Sequence, residues 1–139
     1  MILRDNKIFK CKFVYKYQNI LLVYGGLGCM GRSGRRELAA LREEYAEDNL
    51  AIVIYYPVST LDELKEFRNQ YSVDYIYISE LMPDYSPFKI KYGVQSTPTC
   101  LVIDRSGSVV LKTVGFDAEQ VKEKLDRARG NRVCYRQSI

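Results

Sequence analysis

Apolar and polar positions along the chain predict strands of two kinds. Residues 7–17 alternate, with aromatic residues and a cysteine on one side and lysines on the other, which is typical of a half-buried strand at a sheet edge. Residues 20–24 and 50–56 are continuous apolar runs, as expected of central strands buried on both faces. Residues 75–78 predict a further short strand.

The last third of the chain predicts a hairpin, and the segments between strands predict helices. Residues 99–103 and 109–114 are strand-like and flank an Asp-Arg-Ser-Gly turn at 104–107. Four segments have apolar residues at helical spacing together with start and stop signals. The predicted caps are Ser33, Thr60, Ser86 followed by Pro87, and Asp117, and the predicted ends are at Asn49, Gly93 and Gly130.

The element order β, β, α, β, α, β, α, β, β, α predicts an α/β fold. Alternation followed by a hairpin favours a central mixed β-sheet flanked by helices on both faces. A length of 139 residues predicts a single domain over 1–139. We expect its core at about 20–129, an extra N-terminal edge strand within 1–19, and a loose basic tail at 130–139.

The composition excludes several classes of catalytic and metal-binding site. The 47% hydrophobic and 27% charged residues are those of an ordinary soluble globular protein. Histidine and tryptophan are absent, which excludes a Ser-His-Asp triad, a Cys-His pair, a His-ligated zinc and a His-ligated haem. A net charge of +4 is too small to indicate a nucleic-acid partner.

The early apolar runs bear on where the protein is located. They are too short for a signal peptide or a membrane span. The chain as given is therefore predicted to be cytoplasmic. A periplasmic or exported location stays open if an N-terminal signal has been removed.

Four cysteines are scattered along the chain, at Cys11, Cys29, Cys100 and Cys134. No two lie within three positions of each other, so both CxxC and metal-ligand spacing are absent. We expect reduced thiols, no metal and no cofactor. Cys11 and Cys100 lie in predicted strands and are expected in the core, whereas Cys134 is expected to be exposed in the tail.

Three stretches together resemble the thioredoxin-like proteins, most closely the thiol-disulfide oxidoreductases of the TlpA/ResA type. They are the helix start Arg-Arg-Glu-Leu at 35–38, Gly-Val-Gln-Ser-Thr-Pro-Thr at 93–99, and the strand-turn-strand at 102–116. The resemblance covers roughly residues 20–129. It implies a thioredoxin-like fold and partners that are protein or peptide thiols and disulfides.

The resemblance also implies a substrate-binding site. Pro98 corresponds to a cis-proline that faces the active-site disulfide in the family. Thr97 corresponds to the residue that offers backbone hydrogen bonds to a substrate chain.

The active-site cysteines of that family are missing here. Their positions fall on Gly31 and Gly34, with Arg32 and Ser33 between them. Cys29 stands two positions earlier, in a loop leading to a helix N-terminus. The helix dipole and the cations of Arg32 and Arg35 favour its thiolate form. Cys29 is therefore the candidate nucleophile, with Arg32 and Arg35 as electrostatic partners.

Three alternatives to a redox role for Cys29 stay open at this point. Cys29 is a small buried hydrophobe if its loop is degenerate. The chain can also be a redox-inactive module that holds a peptide or protein at Thr97-Pro98. Residues 26–31 also fit a dinucleotide fingerprint, but no acidic residue follows 50–56, so nucleotide binding ranks lower.

A disulfide between Cys29 and Cys100 is not expected. Cys100 is two residues into its strand, whereas Cys29 lies beyond the end of the sheet. We predict that both thiols are free.

Overall fold

The computed structural model describes residues 2–4, 7–9, 19–25, 27–72, 74–82 and 84–137, with side chains for those between 19 and 128. Within these residues, one mixed sheet contains seven strands. The strands are β1 (Ile2–Arg4), β2 (Lys7–Phe9), β3 (Asn19–Tyr24), β4 (Leu50–Tyr55), β5 (Ile76–Ile78), β6 (Thr99–Ile103) and β7 (Val109–Val114).

The strand order is β2-β1-β5-β4-β3-β6-β7. β3, β4 and β5 are parallel neighbours, and β6 runs antiparallel to β3. The ends of β3, β4 and β5 and the start of β6 therefore lie at the same edge of the sheet, which we call the upper edge. Thr97 and Pro98 lie in the turn before β6 at this edge.

Helices cover both faces of the sheet, as predicted. Leu38 in α1 (Gly31–Glu44), Leu64 in α2 (Leu61–Tyr71) and Val121 in α4 (Ala118–Gln137) are buried in one core cluster, on one face. On the other face, the ring of Phe88 in α3 (Pro87–Lys91) stacks on those of Tyr24 and Tyr55. Two 3₁₀ helices, Leu27–Met30 and Ala46–Asp48, flank α1.

Three of the predicted helix caps are confirmed. Thr60 Oγ1 accepts a hydrogen bond from the Glu63 N–H at 3.3 Å, and Ser86 Oγ accepts one from the Lys89 N–H at 3.0 Å. The Asp117 carboxylate accepts one from the Gln120 N–H at 3.2 Å. Each bond satisfies an N–H group that has no partner inside the first turn of its helix.

The prediction for Ser33 is wrong. The 3₁₀ helix Leu27–Met30 runs directly into α1, which begins at Gly31, so Ser33 is its third residue. Met30 occupies the cap position without a side-chain hydrogen bond. A 3₁₀ helix that continues into an α-helix offers backbone carbonyls to the first-turn N–H groups, so a side-chain cap is not required.

The two ends of the chain also differ from expectation. α4 continues to Gln137, so the helix end predicted at Gly130 is wrong. One glycine costs a helix about 1 kcal/mol relative to alanine, which is too little to end it. At the other end, β2 lies at the sheet edge and pairs with β1, a strand that the pattern did not predict. Residues 10–18, including Cys11, lie outside the described part of the chain.

Candidate functional site

Cys29 and the turn before β6 come together at the upper edge. Cys29 lies in the 3₁₀ helix that precedes α1 and is exposed. Its Sγ is 3.8 Å from the Oγ1 of Thr97, a residue 68 positions away in sequence. The Thr97–Pro98 peptide bond is cis, as the resemblance implies. Cys29 and Thr97 are exposed, whereas Pro98 is buried.

The absence of a side chain at Gly25 permits the loop after β3 to lie close to Thr97. Gly25 follows β3 with a φ of +109°, a region that residues with a side chain rarely adopt. A Cβ at this position would lie 2.7 Å from the Cβ of Thr97. The glycine-rich loop was visible in the sequence, but which glycine faces Thr97 was not.

The turn before β6 is fixed by backbone and side-chain hydrogen bonds. The Gly115 N–H donates to the Pro98 carbonyl at 2.7 Å. The hydroxyl of Thr99 donates to the Ser96 carbonyl at 2.6 Å. These bonds hold both sides of the Thr97–Pro98 bond, so the position of Thr97 relative to Cys29 is set by the sheet.

The two glycines at the expected cysteine positions have different surroundings. Gly31 begins α1 with a φ of +74°, and a Cβ there would meet only open space. Gly34 is buried inside α1, where a Cβ would lie 3.0 Å from the Cβ of Met30. The contact with Thr97 is made by Cys29, two residues before Gly31.

The candidate cations lie on α1, beside the 3₁₀ helix. Arg32 is exposed. The guanidinium of Arg35 donates to the Leu27 carbonyl at 3.4 Å and lies 5.6 Å from the centre of the Tyr71 ring. Arg35 therefore lies between α1 and α2. Its contact with Tyr71 could not be predicted from the local sequence pattern.

Cys100 is a core residue, as predicted. It lies opposite Val23 in the sheet and is 1% exposed. Burial raises the pKa of its thiol from 9.0 to about 12, although a hydrogen bond with Thr113 lowers it in part. Cys29 and Cys100 are both free thiols, which confirms that prediction. The Cys134 side chain lies outside the described part.

Other predicted features can be placed only in part. Gly26, the first glycine of the dinucleotide fingerprint, is outside the described residues. In the part of the chain that is described, His, Cys, Asp and Glu side chains do not gather in threes or more at a point where they could hold a metal ion. None of the helices described there is both long and apolar enough to cross a membrane.

Comparison with solved structures settles the fold. A protein assigned as a thiol:disulfide interchange protein DsbE, from Chlorobium tepidum, superposes with a TM-score of 0.72 at 19% identity, covering 92% of each chain. The chain has the thioredoxin-like fold. A thiol-disulfide oxidoreductase from Bacteroides fragilis gives a TM-score of 0.64 at 16% identity over 77% of this chain and 80% of that one.

A third solved structure extends the same likeness. StoA from Bacillus subtilis gives a TM-score of 0.57 at 14% identity, over 76% of this chain and 81% of that one. No protein-family model matches the chain, and no curated protein sequence matches it. At these identities the likeness establishes the thioredoxin-like fold.

Proposed function

We propose that this thioredoxin-like protein acts on protein or peptide disulfides through a single thiol, that of Cys29. The observation that carries the proposal is the exposed Cys29 Sγ at 3.8 Å from the Thr97 hydroxyl, in the turn before β6. An extended peptide that pairs with the backbone of Thr97 would bring its own sulfur atoms next to Cys29.

The reaction is a thiol-disulfide exchange. The Cys29 thiolate attacks one sulfur of a partner disulfide, a new bond forms between Cys29 and that sulfur, and the other sulfur leaves as a thiolate. Cys29 is oxidised to the mixed disulfide and the leaving sulfur is reduced. A second thiol is needed to release the partner, and Cys100 does not supply it because burial keeps its thiol protonated and out of reach.

Reduction of insulin by dithiothreitol tests this difference from a two-cysteine enzyme. We expect a rate close to that of dithiothreitol alone, since the other thiol that the structure describes, Cys100, is buried and does not resolve the mixed disulfide. Rapid reduction that persists after Cys29→Ser would contradict the proposed chemistry.

The alternative is a binding module without redox chemistry, which holds a peptide at Thr97 and Pro98. The exposed Thr97 above the buried Pro98 favours it, because that surface does not depend on a thiol. Its signature is binding of an extended peptide that contains no cysteine, with the same affinity for wild type and for Cys29→Ser.

Site-resolved alkylation of the native protein separates the two functions. Iodoacetamide labelling is followed by peptide mapping in wild type, Cys29→Ser, and a Cys11→Ser, Cys134→Ser double variant that retains Cys29. The redox proposal expects Cys29 to react faster than the cysteine of an unstructured reference peptide, in wild type and in the double variant alike. A Cys29 that reacts no faster than the reference peptide leaves the binding module as the function.

A further inference from the structure

A groove lies between α1 and the end of α2. Its volume is about 500 Å³, within the range of small-molecule sites. Leu27, Arg35, Ala39 and Arg42 line it from the 3₁₀ helix and α1, and Tyr71 and Asp74 from the end of α2 and the turn that follows.

The charges along the groove differ at its two ends. At the far end, Arg42 is paired with Asp74 at 3.5 Å, and Glu43 adds a carboxylate. At the near end, the guanidinium of Arg35 has the Leu27 carbonyl and the Tyr71 ring as neighbours. Among the side chains that the structure describes, none places a carboxylate within salt-bridge distance of Arg35.

Arg35 therefore offers donors to an incoming anion. A guanidinium presents five N–H groups in a flat fork that matches a carboxylate, and one carbonyl contact leaves most of them free. The exposed apolar surface near Arg35 is limited to the Tyr71 ring and the Ala39 side chain, since Leu38 is fully buried. Glu43 repels an anion at the far end, so a carboxylate is favoured at Arg35 alone.

We propose that this α1–α2 groove binds a small monocarboxylate with a flat apolar body. The carboxylate pairs with Arg35, and the body lies along Tyr71 and Ala39. The groove touches the Cys29 turn from behind, because the Tyr71 hydroxyl lies 2.9 Å from where a Gly28 Cβ would be. It contains neither Cys29 nor Thr97, so the proposal does not rest on the proposed function.

Titration of ¹⁵N-labelled protein with 3-phenylpropionate, followed by NMR chemical shifts, tests the proposal. We expect saturable shifts centred on Leu27, Arg35, Ala39 and Tyr71, with a dissociation constant on the order of millimolar for so small a ligand. The neutral amide, 3-phenylpropanamide, should bind about tenfold more weakly, since it lacks the charge that Arg35 recognises.

Matched variants distinguish binding in the groove from a non-specific effect of the protein's net charge. Arg35→Gln should weaken 3-phenylpropionate binding about tenfold, whereas Arg36→Gln, an equal charge change at the next, exposed position, should leave it nearly unchanged. Ala39→Phe fills the exposed wall of the groove and should block binding, and it keeps the test decisive if Arg35→Gln does not fold. Equal binding of acid and amide, equal effects of the two arginine variants, or shifts outside the groove would overturn the proposal. None of these readouts depends on the reactivity of Cys29.

Discussion

At the scale of single residues, the two described cysteines show how position decides chemistry. Cys29 is exposed beside the Thr97 hydroxyl, whereas Cys100 is 1% exposed in the centre of the sheet. The burial of Cys100 followed from its place in an apolar strand. The contact of Cys29 with Thr97 joins residues 68 positions apart. Periodicity along the chain carries no information on such a pair, and only the resemblance pointed to it.

The buried thiol of Cys100 makes stability depend on pH in the alkaline range. Its pKa is raised from 9.0 to about 12 by burial, so the folded state holds a proton that the unfolded chain has lost between these values. The contribution of Cys100 is complete below pH 9 and declines as pH rises above it, by at most about 1.4 kcal/mol per pH unit. Urea unfolding at pH 8 and pH 10 should show a larger loss for wild type than for Cys100→Ala. An equal loss in both proteins would mean that the thiol does not titrate differently in the two states.

At the scale of elements, the caps that could be predicted are those set by neighbours in sequence. Thr60, Ser86 and Asp117 each bond an N–H group three residues on, so the local sequence contains both partners. The prediction of Ser33 as a cap was wrong because a 3₁₀ helix precedes α1, which therefore begins at Gly31. That 3₁₀ helix depends on how the loop packs at the upper edge. The position of Arg35 over Tyr71 could not be predicted from the sequence either, since it depends on the packing of α1 against α2.

The cap of α2 gives a prediction for this scale. Thr60→Ala removes the acceptor of the Glu63 N–H and should lower the free energy of unfolding by about 1 kcal/mol. Ser59→Ala is the matched control, because Ser59 is exposed and its described contact uses the backbone N–H, which alanine retains. Chemical denaturation of both variants is the measurement, and similar losses in the two would argue against a capping role.

At the scale of the whole molecule, the fold brings loops from distant segments to one edge of the sheet. The element order was enough to predict a mixed sheet with helices on both faces. The meeting of Gly25, Cys29 and Thr97 depends on β3 and β6 being neighbours in that sheet. That adjacency follows from the thioredoxin-like topology and not from the composition of either strand.

The close approach of Gly25 and Thr97 can be tested against another glycine with a positive φ. Gly25→Ala and Gly107→Ala both place a side chain at positive φ, +109° and +88°, which costs about 1–3 kcal/mol. Only at position 25 would the new Cβ lie 2.7 Å from Thr97, and overpacking of this kind adds about 1–3 kcal/mol. Thermal unfolding should therefore rank Gly25→Ala as the less stable variant, and the reverse order would contradict the geometry.

Intact-mass analysis after exposure to a disulfide-linked peptide tests whether Cys29 is a reactive thiol that Cys100 does not resolve. We expect one peptide at Cys29, stable over time, in wild type and in the Cys11→Ser, Cys134→Ser variant. Cys29→Ser should lose that adduct. Loss of two hydrogens with release of the peptide, mapped to a bond between Cys29 and Cys100, would overturn the proposed function, because it would show a working pair of thiols.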